Sequence, residues 1–384
     1  MSRKTSKFRK MFRIKPGNKS RINRLRPLAG LLAAGLSLSP AAAAQFNKYY
    51  PTYYTGPQPD GSWVVSSGQI ITPAGKQVNL GIRVRAKAIA LNPNTKTHTA
   101  AVLTLGTSTS DGNGAVEVFD TNTGVVLQNY ITFGTDSSGS YSGIAYSADG
   151  KHLVFSQDSS NVTIANVNEQ GLLEDDAQVS VPPNNSFITC FPNSPPGSYG
   201  VPCGTFYSPS TSYPGGIAIS QDGKSAYALL NQNDTLAQID LTTATEGQQI
   251  RVGNAPHSVL IDSKGTTAYV SNEGGRVATE GDFQIWSAGT EIVADQVVGA
   301  AITGTVSVVD LKSMMVTANI DTGGLHPTGM AFYGPYVLVA NTYSDTISVI
   351  DTASNEVAWT INLGLPIGVP GEGQPAYGAA PNSI

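Results

Sequence analysis

The stretch that decides the fold runs from Pro214 to Gly253, PGGIAISQDGKSAYALLNQNDTLAQIDLTTATEGQQIRVG. It contains four short runs rich in apolar and β-branched residues, and the turn sequence Gln221-Asp-Gly-Lys224 separates the first two. Strands bounded by Asp-Gly and Asn/Thr-rich turns show this pattern, and no run carries a sustained helical period. The stretch therefore predicts one four-stranded antiparallel unit.

The same pattern occurs five times along the chain. The first apolar residue of each copy serves as a marker, and a sixth marker follows at the end: Ile89, Ile144, Ile217, Val259, Met330 and Ile384. Successive markers are 55, 73, 42, 71 and 54 residues apart, so the bare repeat is 42 residues and the longer steps carry insertions. Repeats of this length with four strands each are typical of β-propellers. We therefore predict an all-β chain, a β-propeller of four-stranded antiparallel blades.

Several strand sequences point to one type of propeller. Tyr269-Val-Ser-Asn272 resembles the Tyr-Val-Thr-Asn signature of the YVTN-repeat propeller family, and Gly304–Asp310 and Asp345–Asp351 resemble the third strand of that family. The resemblance covers roughly residues 60 to 384. It implies seven blades when the ring is complete. Because Ala380–Ile384 resembles the opening of a further first strand, we expect the chain to stop after five full repeats.

Two further stretches carry a narrower resemblance. Ser67–Gly75 and Ser271–Arg276 are similar to the propeller halves of bacterial proteins that carry a C-terminal alkaline-phosphatase-like phosphoesterase domain. This implies an alternative function, the non-catalytic half of a phosphoesterase whose catalytic domain acts in cis or in trans. Some related propellers are lactonases. Neither set of catalytic residues can be placed on this sequence.

The N-terminus has the composition of an export signal. Residues 1–26 contain 11 Lys and Arg and no acidic residue, and the apolar run Leu28–Leu38 and the alanines Ala41–Ala44 follow. This predicts a signal peptide over 1–44, a Pro/Tyr-rich linker over 45–61 and the propeller over 62–384. The apolar run is shorter than the ~20 residues that span a bilayer, although an uncleaved anchor stays open. We expect a periplasmic or extracellular protein.

Without its leader the chain is strongly acidic. Residues 45–384 contain 12 basic and 27 acidic residues, a formal charge of −15. Binding of nucleic acid depends on clustered Lys and Arg that neutralise phosphates. The composition therefore argues against a nucleic-acid partner.

The two cysteines, Cys190 and Cys203, lie in one Pro/Gly/Asn-rich insertion. In an exported protein an even count favours a disulfide between them, which would stabilise the loop by about 3 kcal/mol. The alternative, a metal or catalytic thiol pair, lacks nearby His or acidic ligands.

The positions of the insertions predict a binding surface. With the strands of a blade labelled A to D from the centre outward, the turns between A and B and between C and D are short. The long segments fall between B and C or between D and the next A, as at Glu273–Thr303 and Pro182–Pro214. Strands alternate in direction, so these connections emerge on one face. Elaborated faces of repeat proteins usually contact a ligand or partner.

Polar residues on that face are the candidate binding site. His257 and His326 precede strand A in connections that we take as equivalent, with Arg85 in the matching place, and Asn272 and Asn341 end strand B. The full candidate set is Arg85, His257, Asn272, Glu273, Arg276, His326 and Asn341. Such side chains can bind a small polar or anionic ligand. The alternative is that the asparagines are turn residues and the histidines are structural or solvated.

No catalytic constellation is visible. A Gly-x-Ser-x-Gly elbow is absent, since Gly139–Gly143 has Tyr141 at its centre, and none of the four histidines has a partner at metal-ligand spacing. We therefore expect no metal and no cofactor. The predicted function is an exported propeller that binds a small molecule or protein on its elaborated face, with the enzymes above as the alternative.

Overall fold

The structure is a computed structural model that forms two compact units, residues 1–76 and 77–384. It describes residues 54–64, 70–72, 75–80, 84–106, 115–131, 142–156, 160–181, 186–187, 206–207, 211–279, 281–287, 290–364 and 380–384. The predicted signal peptide and the pair Cys190 and Cys203 lie outside these residues. In the first unit β1 (Gly56–Pro57), β2 (Trp63–Val64) and β3 (Ile70–Ile71) form an antiparallel sheet in that order.

The described residues of the second unit form five four-stranded antiparallel sheets, each made from one repeat. The first sheet has β4 (Val84–Leu91), β5 (Thr99–Gly106), β6 (Ala115–Asp120) and β7 (Val126–Ile131). The second has β8 (Ile144–Tyr146), β9 (His152–Ser156), β10 (Asn161–Val167) and β11 (Leu173–Ser180). A separate pair, β12 (Ser186–Phe187) and β13 (Phe206–Tyr207), follows.

The third sheet is β14 (Pro214–Ile219), β15 (Ser225–Leu230), β16 (Thr235–Asp240) and β17 (Thr245–Arg251). The fourth begins with β18 (Asn254–Ile261) and β19 (Thr267–Gly275), is interrupted by the hairpin β20 (Gln284–Ser287) and β21 (Thr290–Val293), and ends with β22 (Thr305–Asp310) and β23 (Met315–Asp321). The fifth is β24 (Pro327–Tyr333), β25 (Tyr336–Asn341), β26 (Thr346–Asp351) and β27 (Glu356–Asn362).

The prediction of an all-β chain built from four-stranded antiparallel units is confirmed. No helix occurs among the described residues. Within each sheet the strands pair in the order A, B, C, D, and the A strands of successive sheets lie beside one another. The sheets therefore follow one another as propeller-like blades.

The core lies between the sheets, because both faces of strand B are buried. In β15, Ala228 packs into the cluster shared with the second sheet, whereas Leu229 packs into the cluster shared with the fourth. Successive residues of a strand point to opposite faces, so one apolar run supplies both layers. Similar clusters join the first sheet to the second and the fourth to the fifth.

The repeat also extends to backbone conformation. Four residues before the marker, Tyr213, Ala255, His326 and Ala380 all have positive φ, between 42° and 58°. Non-glycine residues seldom adopt this conformation. Its recurrence shows that these four connections share one backbone turn, whereas Arg85, at the same position before Ile89, does not adopt it.

The segment Ala380–Ile384 lies beside β24, where the strand A of a following repeat is expected. The N–H of Ala380 donates to Asp345 at 2.7 Å, and the N–H of Gly329 donates to the carbonyl of Asn382 at 3.2 Å. Ala255 donates to Asp234 at 2.7 Å in the same manner. The resemblance of Ala380–Ile384 to a first strand is therefore matched by its docking.

Candidate functional site

Three polar side chains meet where the A strands of the fourth and fifth sheets begin and strand B of the fourth sheet ends. Glu273 lies near the end of β19, His257 lies in β18, and His326 precedes β24. The carboxyl Oε1 of Glu273 is 3.5 Å from Nε2 of His257, and its Oε2 is 3.9 Å from Nδ1 of His326. We call these three residues the Glu273 cluster.

A β-bulge directs His257 into this cluster. Pro256 pairs with Asn272 and Ser258 pairs with Ser271, so His257 is the extra residue between two register positions. A bulge changes the direction of the side chain that it carries. The Nδ1 atom of His257 lies 3.1 Å from the hydroxyl of Ser258, which orients the ring.

The prediction that His257 occupies the same repeat position as His326 and Arg85 is wrong. His257 lies two residues before its marker, and its counterpart in the first sheet is Lys87, the bulged residue between Ala86 and Ala88 of β4. His326 lies four residues before its marker, and by that count Arg85 shares its position. Arg85 is exposed on β4.

The carboxyl group of Glu273 is largely removed from water. Its side chain is 17% exposed, and it forms no hydrogen bond with any residue in the part of the chain that the structure describes. Burial raises its pKa from 4.5 to about 7, because a charged carboxylate is poorly solvated there. At neutral pH this group is therefore divided between its protonated and ionised forms.

The two histidines are shifted in the opposite direction. Burial, together with the positive charges of His326 and Lys87, lowers the pKa of His257 to about 4. Burial also lowers the pKa of His326, whose ring lies against Tyr343 with centroids 4.1 Å apart. Both imidazoles are consequently neutral near pH 7, and each offers one donor and one acceptor nitrogen.

Asn272 and Asn341 are fully buried and hold strand C against strand B. The amide of Asn272 donates to Thr305 and Ser307 at 3.1 and 3.0 Å. The amide of Asn341 donates to Thr346 and Ser348 at 3.0 and 2.7 Å. These contacts favour a structural role for both asparagines. Their hydrogen bonds go to strand C of the same sheet, whereas the sequence-based alternative was a bond within the local turn.

Arg276 is engaged by the insertion that follows it. Its guanidinium forms a bidentate ion pair with Asp282, both distances being 2.7 Å, and this pair holds the pKa of Asp282 well below its usual range. Asp282 also accepts from the backbone and hydroxyl of Thr279. Arg276 therefore organises the insertion and lies outside the Glu273 cluster.

The insertion is packed against the sheets. Strand B continues to Gly275, and the residues between β19 and β22 carry the hairpin of β20 and β21, in which Ile292 and Val293 are buried. The hydroxyl of Thr290 donates to the buried Asp234 at 2.7 Å. Asp234 also forms an ion pair with Arg251 at 2.9 Å. The insertion is thus anchored to the third sheet by one carboxylate.

Three residues, Lys87, Asp234 and Asp345, were not among the candidates predicted from the sequence. Lys87 could have been found by counting two residues back from the marker Ile89, the offset that His257 has from Val259. Asp234 and Asp345 each directly precede the first threonine of strand C, a recurrence that is visible in the sequence. Their shared role follows only from the contacts of the folded chain.

Two features are absent from the described part of the chain. No group of three or more His, Cys, Asp or Glu there is arranged to hold a metal ion. Among the same residues, no helix has the length and hydropathy needed to cross a bilayer.

Comparison with known proteins gives little beyond a general likeness. No family model and no curated protein matches the chain. Similar solved structures include hydrazine synthase of Kuenenia stuttgartiensis, with a TM-score of 0.48, 16% identity and coverage of 76% of this chain and 70% of that chain. A protein of unknown function from Bacteroides caccae has a TM-score of 0.45, 10% identity and coverage of 80% and 92%. A functionally unknown protein from Desulfotomaculum acetoxidans has a TM-score of 0.46, 12% identity and coverage of 76% and 74%. Similarities of this size do not assign a function.

Proposed function

We propose that this protein is a binding module that takes a small polar ligand, or a polar group of a protein partner, at the Glu273 cluster. The observation that carries the proposal is the convergence of His257 and His326 on the partly buried carboxyl group of Glu273. This group has no hydrogen bond among the described residues, and most of it is removed from water. A bound ligand would supply the missing partner.

The finer features of the proposal rest on the sequence. The YVTN-like strand motifs support a YVTN-type propeller with seven blades when complete, and the basic leader supports export to the periplasm or beyond. N-terminal sequencing of the mature protein tests export, and a chain that still begins at Met1 in the cytoplasm refutes it. The acidic composition continues to argue against nucleic acid as the partner.

The elaborated face is tested by removing its described insertion. The backbone N–H of Arg276 lies 3.3 Å from the hydroxyl of Thr303, so the two ends of the insertion are adjacent. A short Gly/Asn turn in place of residues 277–302 can therefore join β19 to β22 and retain Glu273. We expect this variant to unfold cooperatively at a lower temperature, because Asp234 loses Thr290. It should lose a partner that contacts the insertion, whereas a small ligand held by the Glu273 cluster alone should still bind.

Binding is measured by a thermal-shift and ligand-observed NMR screen of small organic acids, sugars and amines. The double variant His257→Ala with His326→Ala should lose the ligands that the unaltered protein binds. Lys224→Ala, in the A–B turn of the third sheet, is the control on the opposite face. Binding that survives both the excision and the histidine changes but is lost in the control would place the site on the opposite face.

One contact favours the enzyme as a second candidate. Ser258, His257 and Glu273 form a chain of 3.1 and 3.5 Å, a hydroxyl–imidazole–carboxyl order that nucleophilic catalysis uses. The protonation states oppose it, since a His257 with a pKa of about 4 is a weak base and Glu273 is half neutral at pH 7. Binding is therefore the better supported function. Hydrolysis of lactones or phosphoesters that Ser258→Ala abolishes would favour the enzyme.

A further inference from the structure

The Glu273 cluster contains two gaps between unlike polar atoms. Oε1 of Glu273 is 3.5 Å from Nε2 of His257, and Oε2 is 3.9 Å from Nδ1 of His326. Both separations exceed the usual hydrogen-bond length of about 3 Å, so the three side chains do not satisfy one another. They are 16 to 23% exposed, which lets a small solute reach them.

A ligand that fills these gaps has to bond to a carboxyl group and to an imidazole at once. An ammonium group only donates hydrogen bonds and a carboxylate only accepts them, whereas a hydroxyl group does both. A hydroxyl group therefore suits each gap whichever tautomer the imidazole adopts. Because the two gaps share the carboxyl group of Glu273, together they suit two neighbouring hydroxyl groups on one ligand.

An exposed aromatic ring adjoins the cluster. Tyr343 lies in the turn between β25 and β26, and its ring is 4.1 Å from that of His326, centroid to centroid. It is 69% exposed, so much of its apolar ring is open to a ligand. A ligand that covers this ring needs an apolar face beside its hydroxyl groups. A pyranose sugar has both, because its C–H groups form a face and its hydroxyl groups project from the edge of the ring.

The repeat itself does not require the two imidazoles. Ala255 and Ala380 have the same positive φ as His326 at the same repeat position, so the turn before strand A forms without a histidine. Two residues before the marker, where His257 lies, the third sheet has Gly215. Since other repeats form the same sheet without these side chains, a role in binding explains them better than a role in folding.

We propose that the Glu273 cluster and Tyr343 together bind a neutral sugar in its pyranose form, an inference that rests on the proposed binding function. Two neighbouring hydroxyl groups of the sugar bond to the carboxyl group of Glu273 and to the imidazoles of His257 and His326. The C–H face of the sugar packs on Tyr343.

The probes are the methyl glycosides of glucose, galactose, mannose and N-acetylglucosamine, titrated into the whole protein. The chain has only four histidines, so the imidazole resonances of His257 and His326 can be assigned with single alanine variants. At least one glycoside should shift both resonances in a saturable manner. Magnetisation transferred from the protein should be strongest at the C–H protons on one face of its ring. Sorbitol, a polyol without a ring, should bind about 10-fold more weakly.

Tyr343→Ala separates the aromatic ring from the polar groups. It should weaken binding of the glycoside by about 10-fold, whereas Tyr343→Phe, which keeps the ring, should bind it as the unaltered protein does. The matched control is Tyr333→Ala. Tyr333 is 72% exposed at the end of β24, next to the A–B turn and thus at the opposite end of the sheet. This control should leave the affinity unchanged.

The carboxyl group is tested with two substitutions. Glu273→Ala removes the group that both gaps share and should abolish the response of His257 and His326 to the glycoside. Glu273→Gln keeps one acceptor oxygen and adds N–H donors, so it should retain measurable binding. Thermal unfolding shows that each variant is folded at the temperature of the titration. Equal binding by the unaltered protein and Glu273→Ala would overturn the proposal.

The remaining outcomes distinguish the sugar from the binding function itself. Acetate and ethylammonium are titrated in parallel, and a response of the two histidines to either ion but to none of the glycosides would retain the binding function and overturn the sugar proposal. Equal affinities for sorbitol and the glycoside, or unaltered binding in Tyr343→Ala, would also overturn it. No response of His257 and His326 to any of these probes would overturn both.

Discussion

At the scale of single residues, Glu273 and His257 titrate in opposite directions from their ordinary values. The folded chain holds the proton of Glu273 up to about pH 7, whereas the unfolded chain releases it near 4.5. The free energy of unfolding therefore falls as pH rises through this window. For His257 the folded value is about 4 against 6.5, so the free energy of unfolding rises with pH between those values. Between pH 4.5 and 6.5 the two contributions oppose each other.

Single variants should reveal each contribution. In Glu273→Gln the free energy of unfolding should rise with pH between 4.5 and 6.5, by up to about 1.4 kcal/mol per unit, from the remaining His257. In His257→Ala it should fall with pH by a similar amount from the remaining Glu273. Urea denaturation at several pH values measures both, and the double variant supplies the baseline of all other groups. Parallel profiles in the two single variants would refute the assigned shifts.

At the scale of elements, an aspartate at the start of strand C fastens the strand A that follows. Asp234 accepts from the N–H of Ala255, from the Thr290 hydroxyl and from Arg251, and its side chain is 5% exposed. Asp345 occupies the same place and accepts from the N–H of Ala380, but its bond is exposed to solvent. The same aspartate contact is thus buried at Asp234 and exposed to solvent at Asp345.

This difference in environment predicts a difference in stability. Asp234→Ala should lower the free energy of unfolding by about 2 to 3 kcal/mol, because it leaves a buried N–H and a buried hydroxyl without an acceptor. Asp345→Ala should lower it by less than about 1 kcal/mol, since water can replace the lost acceptor. Urea denaturation compares the two variants directly. Equal losses would show that burial does not set the strength of this contact.

At the scale of the whole second unit, stability comes from contacts between successive sheets. The markers Ile217, Val259 and Met330 each face the preceding sheet and are 7 to 8% exposed, whereas Ile89 is 59% exposed. Ile89 belongs to the first of the five sheets, so no four-stranded sheet in the described part of the chain precedes it. A repeat position is therefore buried only where a neighbouring repeat covers it.

The same substitution at equivalent markers tests this dependence. Ile217→Ala should lower the free energy of unfolding by about 2 to 4 kcal/mol through lost burial and the cavity that it leaves. Ile89→Ala should lower it by less than about 1 kcal/mol, because the side chain is already in contact with water. Thermal and urea unfolding of both variants measure the difference. A large loss at Ile89 would mean that another part of the protein covers this residue.

The amino-acid sequence by itself determined the strands, their tight turns and the length of the repeat. It did so because alternation of apolar residues and Asp-Gly turn chemistry act within a few residues of one another. The positions of the long connections also predicted that His257, Glu273 and His326 lie near the same face, and all three meet in the Glu273 cluster. The blade number and the YVTN assignment stay predictions.

The tertiary structure alone decided which candidates can act together. The β-bulges made Lys87, not Arg85, the counterpart of His257, because one extra residue in a strand changes the face to which a side chain points. Packing buried Asn272 and Asn341, and the insertion supplied Asp282 as the partner of Arg276. Packing also removed most of the Glu273 side chain from water, and this burial raises the pKa of its carboxyl group. These outcomes depend on residues distant in sequence, so no local pattern encodes them.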